Sequence, residues 1–242
     1  MTLPEVALAP EHDAAPLIVA VDGPSGVGKS TVARRLALRL GLPFLDTGAM
    51  YRAIGWKVLA AGVDPADRAA VAAVAAAAEV GLSPLPDGSF EVLLDGEPVG
   101  DLIRTPEVGE ATSAVSAYPE VRRRLVELQR ATARRFGGVL EGRDIGTRVV
   151  PETPHKFFLD ARPEVRFRRR HEELRSAGRE VPYEQVIDEI TRRDRRDSTR
   201  ADSPLTRDPG YTFIDASELP VSEVVEAMAR AIVRAIGRPE EA

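Results

Sequence analysis

Several stretches of this chain place phosphate-handling residue types at meaningful spacings. Gly23-Pro24-Ser25-Gly26-Val27-Gly28-Lys29-Ser30-Thr31 contains G-x-x-x-x-G-K-[ST] without a mismatch. It lies where that pattern has physical sense, after the apolar run LIVAVD and before an amphipathic segment. Glycines in such a loop let backbone N–H groups converge on phosphate oxygens, and a helix opening there adds the positive end of its dipole. Lys29 is expected to reach the β- and γ-phosphates of a nucleotide, and the Ser30 hydroxyl to ligate Mg²⁺. A chance glycine turn is the bland alternative, and the strand–loop–helix context argues against it. The pattern specifies phosphate binding and is silent on the reaction.

A reaction needs a second anion site facing the loop, and the chain supplies candidates. Leu45-Asp46-Thr47-Gly48-Ala49-Met50-Tyr51-Arg52 follows the second apolar run with hydroxyls, an aromatic ring and a cation; the plainer reading is that Asp46 or Thr47 only caps the next helix. Glu141-Gly142-Arg143-Asp144-Ile145-Gly146-Thr147 ends another run in a charged, glycine-flanked turn, either a surface turn with an internal ion pair or ligand groups at a strand's C-terminal end. In Tyr183–Arg200 the apolar stripe Tyr183, Val186, Ile187 and Ile190 continues as Arg193, Asp197 and Arg200. That pattern fits a helix leaving the core for a cleft, or a face of solvated ion pairs. Glu164–Arg179, EVRFRRRHEELRSAGR, is crowded with arginines; it is a solvated helix, or a lid whose guanidinium forks close over a transferring phosphoryl group.

These sites need a scaffold, and apolar runs alternate with helical patterns as in an α/β protein with a parallel sheet. Strands are predicted at Leu17–Val21, Pro43–Leu45, Val139–Leu140, His155–Leu159 and Tyr211–Ile214. After the glycine loop, Val32, Leu36 and Leu40 recur at i, i+4, i+8, with Gly41 as a helix stop. Further helices are predicted at Ala66–Ala78, Pro119–Arg135, Tyr183–Arg200 and the tail VSEVVEAMARAIVRAI. Between about Val63 and Asp101 the turn signals Pro-Asp-Gly and Asp-Gly-Glu-Pro separate short strand-like runs, which predicts a small antiparallel insertion.

The length of 242 residues suits one domain with smaller insertions. The 43% hydrophobic and 29% charged content is that of a globular protein, with no apolar run long enough for a bilayer span. The first residues lack the basic flank and apolar core of a secretory signal. The absence of cysteine excludes disulfides and thiolate metal sites and suits a reducing cytoplasm. A net charge of −5 argues against a general nucleic-acid coat. There is no asparagine, so the Asn-Lys-x-Asp guanine reader of GTPases cannot exist in its usual form. Scarce thermolabile residues fit heat adaptation, and a GC-rich genome would give the same bias. A small-molecule kinase fits best. The acceptors left open include a nucleoside monophosphate, dephospho-coenzyme A and shikimate; a nucleotide sensor without turnover is the rival from another class.

Together, DGPSGVGKST, LDTGAMYRA, IRTPEV, EGRDIGT, FLDA and RRDRRDSTRADSPL resemble the bacterial cytidylate kinases, within the nucleoside monophosphate kinases, from about Ile18 to Ile236. LDTGAMYR with GRDIGT and RRD-x-x-DSTR is far more specific than the glycine loop alone. The resemblance implies an α/β P-loop kinase fold: five parallel strands flanked by helices, an antiparallel insertion in the region binding the monophosphate, and a short lid. On that basis residues 1–16 are a leader, 17–62, 102–161 and 181–238 the core, 63–101 the insertion and 162–180 the lid. It implies a CMP or dCMP site of Thr47, Tyr51, Arg52, Ser113, Arg122, Arg143, Asp144, Arg193, Asp197 and Arg200. Base and sugar recognition is expected from Ser113, Arg122, Asp144 and Asp197, and the phosphate grip from arginines such as Arg52 and Arg143. ATP is expected on Gly23–Thr31 with Arg166 and Arg169, where Arg166, Arg169 and Arg170 match R-x-x-R-R. Transfer itself is assigned to Lys29, Arg143, Arg193 and Arg170, with Mg²⁺ on Ser30. Thr47 and Glu141 stand where some members have Ser and Asp, and both keep the functional group. The expected partners are small substrates, without nucleic acid or membrane, for a cytoplasmic monomer.

Overall fold

A computed structural model describes residues 16–237, so all but Pro16 of the expected leader, and Arg238 at the end of the expected core, lie outside the described residues. Five short strands form the centre of the molecule, buried on both faces except at the edge strand formed by Thr212–Asp215. They are β1 (Ile18–Asp22), β2 (Phe44–Asp46), β6 (Gly138–Gly142), β7 (His155–Asp160) and β8 (Thr212–Asp215). Their order is β2-β6-β1-β7-β8, and every pairing is parallel. The predicted strands are all present, most shifted by about a residue toward the C-terminal end, where polar Asp22, Asp46, Asp160 and Asp215 still pair.

Helices cover both faces. On one, α1 (Lys29–Leu40) and α8 (Val221–Ile236) bury Leu36, Met228 and Ile232 against Val19, Val21, Phe157 and Leu159. Gly41 ends α1 in the left-handed region (φ 66°), and its N–H reaches the carbonyls of Ala37 and Leu38. On the other, α5 (Pro119–Phe136) lays Val126 and Ala133 on Ala20, Leu45 and Leu140. A further core joins α2 (Thr47–Ala60), α3 (Arg68–Ala77) and α4 (Pro106–Val115) through Met50, Ile54, Val71 and Val108.

The insertion is a three-stranded antiparallel sheet, β3 (Val80–Pro84), β4 (Phe90–Leu94) and β5 (Glu97–Pro98), with Val92 and Leu94 in the same core as α2. Finally α6 (Pro163–Ser176) and α7 (Tyr183–Thr199) pair through a small core of their own, Leu174, Val186 and Ile190.

Candidate active site

The sheet register brings the loop and the charged turns to one edge. Asp22, the last residue of β1, pairs with Gly142 of β6, and Asp46 of β2 pairs with Glu141. From that edge the glycine loop runs into α1, whose first residue is Lys29. Lys29 is buried and donates from Nζ to the Pro24 carbonyl at 2.7 Å. Burial, then the neighbouring Arg143 charge, pushes its pKa down to about 7. Ser30 Oγ donates to Glu141 Oε1 at 2.6 Å. Burial, then the charge of Asp46, raises the Glu141 carboxyl above its usual range. A hydroxyl beside a carboxylate is the oxygen donor set that Mg²⁺ accepts. Among the described residues no three His, Cys, Asp or Glu side chains cluster as a metal site.

Next to the loop, a run of buried pairs alternates in sign. Arg122 on α5 pairs with Asp144 through Nη2. Arg200 reaches Asp144 at 3.5 Å and Asp197 at 3.7 Å, and Asp197 accepts from Arg143 Nε at 2.8 Å. Arg143 Nη2 then donates to Ser25 Oγ at 3.1 Å, inside the loop. Burial would lift the Asp197 carboxyl; Arg143, Arg193 and Arg200 outweigh it and hold it below the usual range. This part of the polar face of α7 is therefore internal: Asp197 is 5% exposed and pairs with Arg143 from another element as well as with Arg200, the residue just past the end of the helix.

Other predicted residues gather at the same cleft. Asp46 does cap α2, accepting from the Ala49 N–H, and its second oxygen takes Arg52 Nη2 at 2.6 Å. Thr47 donates to the Glu141 carbonyl at 2.7 Å. Tyr51 lies under the Arg122 guanidinium, 5.4 Å from its ring centroid, and burial pushes its hydroxyl up to about 12. Buried Ser113 accepts from Arg196 Nη1 at 3.2 Å. Arg193 is half-buried and makes no ion pair or hydrogen bond among the described residues. Burial, then the Arg143 charge, lowers its pKa to about 10, with Arg52 and Arg170 adding to the shift and Asp197 opposing it.

The three arginines of α6 divide. Arg166 is buried, with its guanidinium bound to the carbonyls of Ala161 and Ser25 and to Asp194. Arg169 binds the carbonyls of Val27 and Ala216, and Arg170 pairs with Glu173 on its own helix at 3.1 Å.

Several residues here have no motif role in the sequence reading. Asp22 is fully buried, accepting from the N–H groups of Ile145 and Gly146 at 2.9 Å and from Tyr211 Oη at 2.7 Å. Burial raises its pKa to about 6, and its bonds anchor the π-helical turn Ile145–Val149 directly after Arg143 and Asp144. The signals for it were a carboxylate closing an otherwise apolar strand and its place at the head of DGPSGVGKST. Glu141, Asp194 and Arg196 were visible only as members of charged motifs.

A phosphate loop at the edge of a five-stranded parallel sheet, facing a buried arginine–aspartate array, defines a P-loop kinase for a small anionic acceptor. The family model for cytidylate kinase matches residues 19–234, and the chain belongs to that family. It is 50% identical over 208 residues to the cytidylate kinase of Pelotomaculum thermopropionicum, covering 86% of this chain and 92% of that one. It is also 50% identical over 211 residues to the cytidylate kinase of Corynebacterium glutamicum, covering 87% and 91%. Among solved structures, an uncharacterized protein from Eubacterium ventriosum matches with a TM-score of 0.52 at 15% identity, covering 90% of this chain and 98% of that one. That likeness concerns the fold alone.

Proposed function

We propose that the chain transfers the γ-phosphoryl group of MgATP to the phosphate of CMP or dCMP, giving ADP and CDP or dCDP, in pyrimidine nucleotide metabolism. The acceptor is already an anionic oxygen, so no strong general base is needed. Alignment of the reacting phosphates and neutralisation of their charge carry the rate.

The observation that carries this reading is the unbroken run from Arg122 through Asp144, Arg200 and Asp197 to Arg143 and Ser25. It provides donors and acceptors for a base and sugar at one end and cations beside the glycine loop at the other. Base and sugar are assigned to Ser113, Arg122, Asp144, Asp197 and Arg200, and the acceptor phosphate to Arg52, Arg143 and Arg193, with Thr47 and Tyr51 shaping the pocket. Gly23–Thr31 would take the donor phosphates, and Arg166 and Arg169 back that loop. Ser30, with Glu141 beside it, would hold Mg²⁺, which would neutralise charge on the donor phosphates when bound. Lys29 and Arg193 complete that neutralisation. Arg170 and helix α6 would close over the site and exclude water, which suppresses hydrolysis of ATP.

We read the enzyme as a cytoplasmic monomer that binds neither membrane nor nucleic acid. In support, it has no cysteine and a net charge of −5, and no described helix is long and apolar enough to cross a membrane. The assignments are tested by Asp197→Ala, which removes the partner of both Arg143 and Arg200. KM for CMP should rise at least about 10-fold while KM for ATP changes far less, as loss of a charged hydrogen-bond partner implies. Unchanged CMP affinity would remove Asp197 from the acceptor site.

A further inference from the structure

We infer that Asp194 is a positioning residue for phosphoryl transfer, which together with Arg166 aims the first peptide groups of the phosphate loop. The inference rests on the kinase reading above and names a residue that reading leaves without a role. All three polar groups of Ser25 are held by other elements. Its N–H donates to Asp194 Oδ1 at 2.9 Å, its carbonyl accepts from Arg166 Nη1 at 2.9 Å, and its hydroxyl accepts from Arg143 Nη2 at 3.1 Å. Arg166 Nη1 also binds the second oxygen of Asp194, so one ion pair grips both sides of Ser25.

Peptide geometry turns these bonds into a statement about phosphate binding. A trans peptide points its N–H and its carbonyl in opposite directions, and the chain has no cis bond among the described residues. The Pro24 carbonyl faces across the loop to Lys29 Nζ at 2.7 Å. The N–H sharing that peptide, Ser25's, therefore faces outward, where Asp194 receives it. The Ser25 carbonyl is turned outward to Arg166, so the N–H sharing its peptide, Gly26's, faces into the cradle. Convergent N–H groups are what such a loop offers a phosphate, and here the aim is set from outside by Asp194 and Arg166. Asp194 sits on α7 between Arg193 and Asp197. One helix thus shapes the donor loop and carries side chains assigned to the acceptor.

The test is the affinity for ADP by calorimetry, with kcat and both KM values, in Asp194→Ala and Asp194→Asn. ADP binding needs no acceptor, so it reads the loop even where CMP phosphorylation is absent; absence of CDP formation in the wild-type chain would refute the kinase reading separately. Asp194→Ala should weaken ADP at least about 10-fold, lower kcat/KM for ATP about 100-fold and leave KM for CMP within about 2-fold, as displaced positioning groups do. Asp194→Asn keeps an acceptor for the Ser25 N–H but loses the charge that holds Arg166. It should fall between wild type and alanine, about 3- to 10-fold weaker for ADP, and it decides the matter if the alanine variant does not fold. Wild-type ADP affinity in either folded variant overturns the inference. So does a parallel rise of both KM values with a lowered thermal midpoint, which marks general loosening.

Discussion

Lys29 sits buried at the floor of the phosphate loop, bonded to a single carbonyl and flanked by Arg143 and Arg193. Without phosphates nearby its charge is poorly paid for, and its pKa falls from 10.5 to about 7. A lowered lysine pKa means that the folded state favours the neutral form. The stability tied to it is fully present above about pH 10.5, declines as pH falls below that value and is gone below about 7. Donor phosphates restore the missing counter-charge, so nucleotide binding at pH 8 should draw close to one proton from solvent. Calorimetry in buffers of different ionisation enthalpy measures that uptake, and Lys29→Met should abolish it; binding without proton exchange in the wild-type chain would contradict this environment. The loop residues were legible in the sequence because their contacts are local, Lys29 to Pro24 being five positions apart. Glu141 lies 111 positions from Ser30, and Asp22 lies 123 from Ile145. Those pairings exist only because parallel strands bring distant chain ends to one edge, which no local spacing reveals.

Helices were the most legible elements, since a buried stripe at 3.6-residue period is hard to imitate. Tyr183–Thr199 starts where the stripe predicted, and its Arg193–Asp197–Arg200 continuation runs into the cleft. The sequence alone left that stripe balanced between a surface of ion pairs and a binding face. Arg143, arriving from another element to pair with buried Asp197, excludes a solvated surface of ion pairs there. Strand ends were less legible, because the last residue of β1, β2 and β7 is a carboxylate that ends the apolar run while still pairing. One close crossing was invisible in the sequence. Gly55 of α2 lies against α4, where a Cβ would meet Thr112 Oγ1 at 2.7 Å and Thr112 N at 3.1 Å. Thr112 is itself tied to the Val108 carbonyl at 2.6 Å and cannot simply turn away. Gly55→Ala should therefore destabilise the fold by about 1–3 kcal/mol, the usual cost of overpacking. Because α2 carries Thr47, Tyr51 and Arg52, KM for CMP should rise as well. Denaturant unfolding checks the first effect, and an unchanged midpoint would mean that the helices part without cost.

Across the whole molecule the net charge is −5, yet Lys29, Arg52, Arg143, Arg170 and Arg193 share one cleft. Cations gathered in one place favour the approach of small anions there. The family is that of cytidylate kinases, and the assignment proposed above puts the choice of base at the buried run ending at Arg122 and Asp144. The most direct measurement is ADP production from MgATP with CMP, dCMP, UMP, AMP and GMP offered separately. Fast turnover with CMP and dCMP and slow turnover with the other three is the predicted result. Equal turnover with AMP or GMP, or none with any acceptor, would contradict the account and leave only the phosphate loop standing.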